Sequence, residues 1–188
     1  MKKQELRKYA KENWEKFLKN KEQVLKLLEN LKAFLNKNSR DQIFAFYPIN
    51  FEPPILDILD PLFSTIYLPV IDFKNKQMKF APYKFKNQYL NYKINSFNIL
   101  EPELTHIAIP KKEDIIIIPS LGVNSHFVRL GRGAGYYDKF FSDNKNSLLS
   151  IKISLLPEVL TKLEFIEEKH DLILDILITE NNIVYKTS

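Results

Sequence analysis

A run of four consecutive isoleucines, residues 115–118, follows Asp114 and is closed by Pro119. A strand with one face in solvent alternates apolar and polar residues, whereas an unbroken apolar run is typical of a strand buried on both faces. Parallel sheets are covered on both faces by helices. The run therefore predicts the central strand of a mostly parallel, Rossmann-like sheet within a three-layer α/β/α domain.

The rest of the chain beyond residue 40 has the same character, because short β-type runs alternate there with turn residues. Further strands are predicted at residues 43–47, 66–70, 79–83, 148–153, 174–179 and, at the edge, 183–185. Short helices are predicted at residues 54–62, 136–141 and 156–163. The stretch 85–102 is rich in Asn and Tyr and is predicted to be a long exposed connection.

Residues 2–37 are rich in lysine, and their apolar residues recur at helical spacing. This pattern predicts N-terminal helices whose lysines lie on solvated faces. The chain carries a formal net charge of +5, which would suit a nucleic-acid partner. Because solvated helix faces account for much of the excess lysine, we expect no nucleic-acid partner, although a basic RNA-binding protein stays open as an alternative.

Length and composition set further limits. A chain of 188 residues that is 45% hydrophobic is of the right size for one domain, predicted to span residues 1–188. The absence of cysteine excludes disulfides, thiolate metal sites and a cysteine nucleophile. Since the charged N-terminus lacks a signal-peptide apolar segment and no run reaches the length of a membrane span, we expect a cytoplasmic monomer without a membrane partner.

Three of the four glycines lie in the segment LGRGAGYYDKF, at Gly131, Gly133 and Gly135. This segment follows the isoleucine strand, and ligands of such folds gather at the carboxyl ends of parallel strands. Glycine lets a backbone approach phosphate oxygens closely or adopt positive φ. The helix predicted to begin at Tyr136 adds unpaired N–H groups, and Arg129 and Arg132 add guanidinium donors. The segment therefore predicts a phosphate-binding loop.

The type of loop is not decided by these residues. No GK[ST] follows the glycines as in a Walker A loop, and the glycine spacing differs from that of a dinucleotide-binding fingerprint. From the residues alone, an ATP-dependent phosphotransferase or ATPase and a non-enzymatic RNA-binding protein both remain open.

The motifs RLGRGAGYYDKF, DIIIIPSLGV and HDLILDILITE resemble the 5-formyltetrahydrofolate cyclo-ligase family, also called 5,10-methenyltetrahydrofolate synthetases. The resemblance extends in order through KQELR, YLPV and SFNILEP, over almost the whole chain. It implies an ATP-dependent ring closure of 5-formyltetrahydrofolate to 5,10-methenyltetrahydrofolate, with release of ADP and phosphate and a requirement for Mg²⁺. The implied partners are small molecules.

The resemblance also implies roles for individual residues. The implied ATP-binding residues are Lys3, Arg7, Arg129, Leu130, Gly131, Arg132, Gly133, Ala134, Gly135, Tyr136 and Tyr137. The implied folate-binding residues within this loop are Arg132, Gly133, Ala134, Gly135 and Tyr136. Arg129 and Arg132 are the expected catalytic residues, because they would offset charge on the transferred phosphoryl group. Asp138 and Asp175 are the implied Mg²⁺ ligands.

One part of the folate site departs from the family pattern. Family members commonly carry a pterin-binding glutamate after a Pro-Gly pair in the loop that follows the first strand, where this chain reads YPINFEPP. An ungapped alignment places Asn50 at that position, and a local shift of two residues places Glu52 there. Both residues are candidates, with Glu52 expected. Phe97 is the aromatic residue expected beside the pterin.

Overall fold

The lysine-rich N-terminal stretch forms two helices in the computed structural model, which describes residues 2–95 and 99–187. Helix α1 spans Lys3–Lys19 and helix α2 spans Lys21–Lys37. Asn20 ends the first helix and caps the second, because its side-chain oxygen accepts a hydrogen bond from the backbone N–H of Gln23. Apolar residues of both helices are buried, which confirms the predicted helical spacing: Leu6, Ala10, Trp14, Phe17, Leu27, Leu28, Leu31, Phe34 and Leu35.

The remaining elements follow in chain order. The strands in the described residues are β1 (Gln42–Phe44), β2 (Thr65–Asp72), β3 (Gln77–Phe85), β4 (Gln88–Tyr89), β5 (Tyr92–Ile94), β6 (Leu100–Pro102), β7 (Ile115–Ile117), β8 (Gly122–Val123), β9 (Arg129–Leu130), β10 (Ile151–Leu155), β11 (Ile176–Ile178) and β12 (Ile183–Tyr185). Helix α3 spans Leu56–Leu59 and helix α4 spans Tyr136–Asp143. Two 3₁₀ turns span Lys145–Leu149 and Glu158–Leu160.

Eight of these strands form the main sheet, in the order β12-β11-β10-β7-β1-β2-β3-β4. The five central strands are mutually parallel, and antiparallel strands extend the sheet at both edges. The isoleucines at 115–118 are all 0% exposed. Because adjacent strand residues point to opposite faces, both faces of β7 are covered. The predicted α/β class with a mostly parallel sheet is confirmed.

The order of the parallel strands locates the expected ligand site. Numbered along the chain, they lie in the order 2-1-3-4-5, one of the two common doubly wound arrangements. The chain leaves β1 toward one edge of the sheet and later leaves β7 toward the other. Ligands of such sheets bind in the crevice at this switch point, outside the carboxyl ends of the strands. Residues following β1 and β7 should therefore line the site.

The predicted exposed connection at residues 85–102 is wrong, because β4, β5 and β6 lie within it. Strand β5 is exposed, which explains its polar composition, but Glu101 of β6 is buried. The carboxylate of Glu101 accepts a hydrogen bond from the backbone N–H of Ile71 in β2. Strand β4 pairs with the adjacent β3 and strand β5 pairs with β6, whereas the bond to Ile71 is a long-range contact that ties β6 to β2.

Three other predicted boundaries also change. The helix predicted at residues 156–163 is reduced to the 3₁₀ turn, because the backbone N–H of Leu163 bonds to the carbonyl of Val123 instead of continuing a helix. Strand β10 begins at Ile151, since residues 145–149 form the other 3₁₀ turn. The helix predicted at 54–62 contains only the short α3.

The single-domain interpretation of residues 1–188 stays a prediction. In the described residues, no helix combines the length and apolar character needed to cross a membrane.

Candidate functional site

A largely apolar cavity of about 410 Å³ lies at the switch point. Residues that follow β1, residues that follow β7 and the glycine-rich loop all contribute to its wall. Its lining includes Phe46, Tyr47, Ile71, Pro119, Ala134 and Tyr136. The cavity therefore occupies the place at which the strand order predicts a ligand.

The glycine-rich loop, residues 131–135, connects β9 to α4. Gly133 has a φ of 105° and Gly135, the residue before α4, has a φ of 73°. Both values lie in the left-handed region, which glycine adopts without steric cost. Gly131 meets a different constraint, because a Cβ there would lie 2.7 Å from the guanidinium of Arg129 and that side chain would have to move. Each glycine of the loop thus meets a specific local constraint.

Arg132 connects this loop to the segment after β1. Its guanidinium donates a hydrogen bond of 2.8 Å to Oε1 of Glu52 and another to the backbone carbonyl of Asn50. It also lies over the ring of Phe51, 5.9 Å from the centroid. About a third of the Arg132 side chain remains exposed. The predicted phosphate loop and the predicted pterin-binding segment are therefore in direct contact.

Glu52, and not the side chain of Asn50, forms part of the cavity wall. The Glu52 side chain is 7% exposed, and its Oε2 accepts a 2.9 Å hydrogen bond from the backbone N–H of Ile49. Burial raises the pKa of Glu52 to about 7, although the adjacent charge of Arg132 opposes the shift. Asn50 is exposed. This placement supports the shifted alignment.

Arg129 lies in β9, directly before the loop, and is buried. It donates a 3.0 Å hydrogen bond to the carbonyl of Pro119, at the end of the isoleucine run, and its guanidinium lies 3.4 Å from Oδ1 of Asp138. The guanidinium also lies 5.2 Å from the ring centroid of Tyr137, which is buried. Burial raises the pKa of Tyr137. Tyr136 and Tyr137 both line the cavity, but Tyr137 is buried against Arg129.

The start of α1 also reaches this region. Arg7 donates a 2.9 Å hydrogen bond to the carbonyl of Gly131, and its guanidinium lies beside Gly133. Lys3 instead forms ion pairs with Asp171 at 2.7 Å and with Glu168 at 2.9 Å. Of the two predicted N-terminal ligands, only Arg7 contacts the glycine-rich loop.

The two predicted metal ligands line a second cavity of about 880 Å³. Oδ1 of Asp138 accepts a hydrogen bond of 3.2 Å from the backbone N–H of Leu172. Oδ2 of Asp175 lies 2.7 Å from Nζ of Lys152. Basic side chains contribute to the same cavity: Lys145, Lys152, Lys169, His170 and Lys186. Carboxylate oxygens are ligands of the kind that Mg²⁺ takes together with nucleotide phosphates, and the basic side chains of this cavity would attract those phosphates.

Phe97 lies outside the described residues. No sequence motif marks Glu101 as a site residue, yet it lines the first cavity and is only 2% exposed. In the sequence, Glu101 is a single acidic residue between Leu100 and Pro102. Its burial depends on contacts with residues that are distant in sequence, so the sequence does not predict it.

Residues 2–180 match the model of the 5-formyltetrahydrofolate cyclo-ligase family. A mitochondrial 5-formyltetrahydrofolate cyclo-ligase of Arabidopsis thaliana is 26% identical over 136 residues, covering 63% of this chain and 48% of the relative. A Schizosaccharomyces pombe protein, "Probable 5-formyltetrahydrofolate cyclo-ligase", is 27% identical over 103 residues, covering 48% of this chain and 50% of the relative. The matches thus span about half the length of these relatives.

Solved structures share the fold over nearly the whole chain. The NMR structure of Aquifex aeolicus 5,10-methenyltetrahydrofolate synthetase has a TM-score of 0.78 at 20% identity, covering 100% of this chain and 94% of that one. The 5,10-methenyltetrahydrofolate synthetase of Mycoplasma pneumoniae has a TM-score of 0.72 at 22% identity, covering 96% and 99%. At this level of identity the likeness establishes the fold.

Proposed function

The chain belongs to the 5-formyltetrahydrofolate cyclo-ligase family, and from this premise we propose that it converts 5-formyltetrahydrofolate to 5,10-methenyltetrahydrofolate, with consumption of ATP and release of ADP and phosphate. One observation carries the proposal. Arg132, in the glycine-rich loop, bonds to Glu52 in the wall of an apolar cavity. The segment proposed to bind phosphate and the cavity proposed to hold the pterin ring are therefore adjacent.

The first cavity has the properties that a pterin requires. Its volume of about 410 Å³ lies within the range usual for small-molecule sites. Its walls are mainly apolar, and Tyr136 provides an aromatic surface. The Glu52 carboxylate would accept hydrogen bonds from the amino and ring N–H groups of the pterin. Because this carboxylate is buried, leaving either the carboxylate or the pterin N–H groups without a hydrogen-bond partner would cost binding energy.

The glycine-rich loop provides the nucleotide half of the site. Its backbone and the N-terminus of α4 offer N–H groups to phosphate oxygens. Arg7 lies beside the loop, whereas Lys3 would have to exchange its carboxylate partners to reach a nucleotide. Arg129 and Arg132 would offset the charge on the transferred phosphoryl group, which is the main requirement in phosphoryl transfer.

The reaction follows from the chemistry of the formyl group. Its oxygen is a poor leaving group, so phosphorylation by ATP would precede ring closure. N10 would then attack the activated carbon, and the oxygen would depart as phosphate. No covalent bond to the protein is required, and the residues act by positioning the substrates and by offsetting charge.

Asp138 and Asp175 are the residues that would hold Mg²⁺. When bound, the ion would neutralise part of the negative charge of the nucleotide phosphates. Both carboxylates line one cavity, and Asp138 also approaches Arg129, which joins that cavity to the glycine-rich loop. Because Lys152 pairs with Asp175, the ion would have to compete with this lysine for one carboxylate oxygen.

We place this activity in a cytoplasmic monomer that acts on small molecules and has no nucleic-acid or membrane partner. The chain has no cysteine and therefore no disulfide that would require an oxidising compartment. Size-exclusion chromatography with light scattering measures the molar mass in solution. A stable dimer would contradict the predicted monomer.

The decisive experiment measures the absorbance of the methenyl product when purified protein is mixed with 5-formyltetrahydrofolate, with and without ATP and Mg²⁺. We expect product only in the complete mixture. ATP hydrolysis without folate turnover would instead indicate a phosphotransferase or ATPase with another acceptor. Salt-sensitive RNA binding without ATP binding would indicate an RNA-binding protein.

A further inference from the structure

Glu101 is a buried carboxylate in the wall of the first cavity. The proposed function assigns no role to it. It is 2% exposed. The backbone N–H of Ile71 and the side-chain amide of Asn95 donate hydrogen bonds of 2.9 and 3.0 Å, and both reach Oε1. Both donors are uncharged. Among the residues that the structure describes, none donates a hydrogen bond to Oε2.

The other charged side chains that line this cavity all have partners of opposite charge. Glu52 pairs with Arg132, and Arg129 pairs with Asp138. Within residues 2–95 and 99–187, Glu101 forms no ion pair. A buried carboxylate without a cation is costly to the folded protein, and such a group at the wall of a cavity is a candidate for ligand recognition. The missing partner would be a cation inside the cavity.

We propose that Glu101 is the counter-ion of the cation that forms when the folate ring closes, an inference that rests on the proposed function. The ring system of 5-formyltetrahydrofolate is uncharged. As the bond between N10 and the formyl carbon forms, the bond from that carbon to oxygen breaks, and the oxygen leaves as phosphate together with the N10 proton. The product keeps one positive charge, shared between N5 and N10 across the new carbon bridge.

The position of Glu101 suits this role. In an apolar cavity, a developing charge interacts more strongly with a fixed opposite charge than it does in water. Two hydrogen bonds to Oε1 hold the carboxylate in place, so that little reorganisation accompanies the reaction. Glu101 would therefore stabilise the cationic product, and the transition state that precedes it, more than the uncharged substrate.

The test is Glu101→Gln, which keeps the size of the side chain and an oxygen for both donors. Dissociation constants are measured for the methenyl cation and for 5-formyltetrahydrofolate, whose tails are identical. We expect the cation to bind at least about tenfold more weakly, while 5-formyltetrahydrofolate changes by less than about threefold. The turnover number should fall, and the KM for ATP should be unchanged.

An equal loss of affinity for both ligands would indicate a structural role and would overturn the proposal, as would unchanged binding of the cation. If the glutamine variant does not fold, Glu101→Asp decides, because it moves the charge back by one methylene. It should weaken binding of the cation more than binding of 5-formyltetrahydrofolate, and equal losses would again overturn the proposal. Wild-type protein that neither converts nor binds 5-formyltetrahydrofolate would refute the proposed function itself, and this inference with it.

Discussion

At the scale of single residues, Arg132 has the largest expected effect on activity, because it contacts Glu52 and belongs to the glycine-rich loop. Arg132→Ala should lower kcat/KM by about a hundredfold or more, the usual consequence of losing a charge-stabilising contact in a transition state. Steady-state kinetics measure the effect. Arg40→Ala is the matched control, since Arg40 is exposed and, within the described part of the chain, bonds only to the carbonyls of Ser39 and Glu113. Near-normal turnover of the Arg132 variant would refute the phosphate-loop assignment.

Glu52 and Asn50 can be separated by a pair of substitutions. Glu52→Gln would place an amide donor against the pterin's own donors, at a cost of about 1–3 kcal/mol. The KM for 5-formyltetrahydrofolate should therefore rise about tenfold, with little change in the KM for ATP. Asn50→Ala should leave both constants nearly unchanged, because Asn50 contacts Arg132 through its backbone carbonyl. A larger folate effect at Asn50 than at Glu52 would restore the ungapped alignment.

At the scale of elements, the glycine-rich loop leaves room for the guanidinium of Arg129, because Gly131 has no side chain. A Cβ on residue 131 would meet the Arg129 guanidinium at 2.7 Å, so Gly131→Ala should displace it. We expect the KM for ATP to rise by about tenfold, the effect of losing one charged hydrogen bond. The comparison is Gly135→Ala, where an added Cβ would meet no described residue within 4 Å apart from its chain neighbours, and the φ of 73° creates only backbone strain. That variant should lose about 1–2 kcal/mol of stability in denaturant unfolding. A normal KM for ATP in Gly131→Ala would show that Arg129 does not depend on this glycine.

At the scale of the whole molecule, the buried Glu52 makes stability depend on pH. Burial raises its pKa from 4.5 to about 7, so between these values the folded state binds the proton more often than the unfolded state. The free energy of unfolding contributed by this group is therefore fully present below about pH 4.5 and is lost as pH rises toward 7. The loss amounts to roughly 3 kcal/mol at about 1.4 kcal/mol per pH unit.

Denaturant unfolding at pH 5 and pH 8 tests this coupling. The difference in unfolding free energy between the two pH values should be smaller in Glu52→Gln than in the wild type by about 2–3 kcal/mol. Other titrating groups are common to both proteins and cancel in this comparison. The same pH dependence in both proteins would show that Glu52 does not titrate in this range.

How far the sequence alone predicts this protein depends on the range of the interaction concerned. Burial of Ile115–Ile117 follows from local composition, and the use of glycine at 131–135 follows from backbone sterics. Both predictions needed only neighbouring residues. The helix predicted at 156–163 was wrong because Leu163 bonds to Val123, and the burial of β6 within residues 85–102 depends on the bond between Glu101 and Ile71. Both partners are distant in sequence.

The sequence by itself determined the α/β class, the family and the segment that forms the glycine-rich loop, since these depend on composition, motif order and motifs that can be recognised along the chain. Only the tertiary structure decided which carboxylates reach the cavity. Glu52 turns inward after Phe51, which adopts a φ of 67° that bulky residues rarely adopt, and local propensity does not predict it. Glu101 is buried because β6 lies against β2. Side-chain direction and strand pairing depend on contacts between distant residues, so they are properties of the folded chain rather than of any one segment.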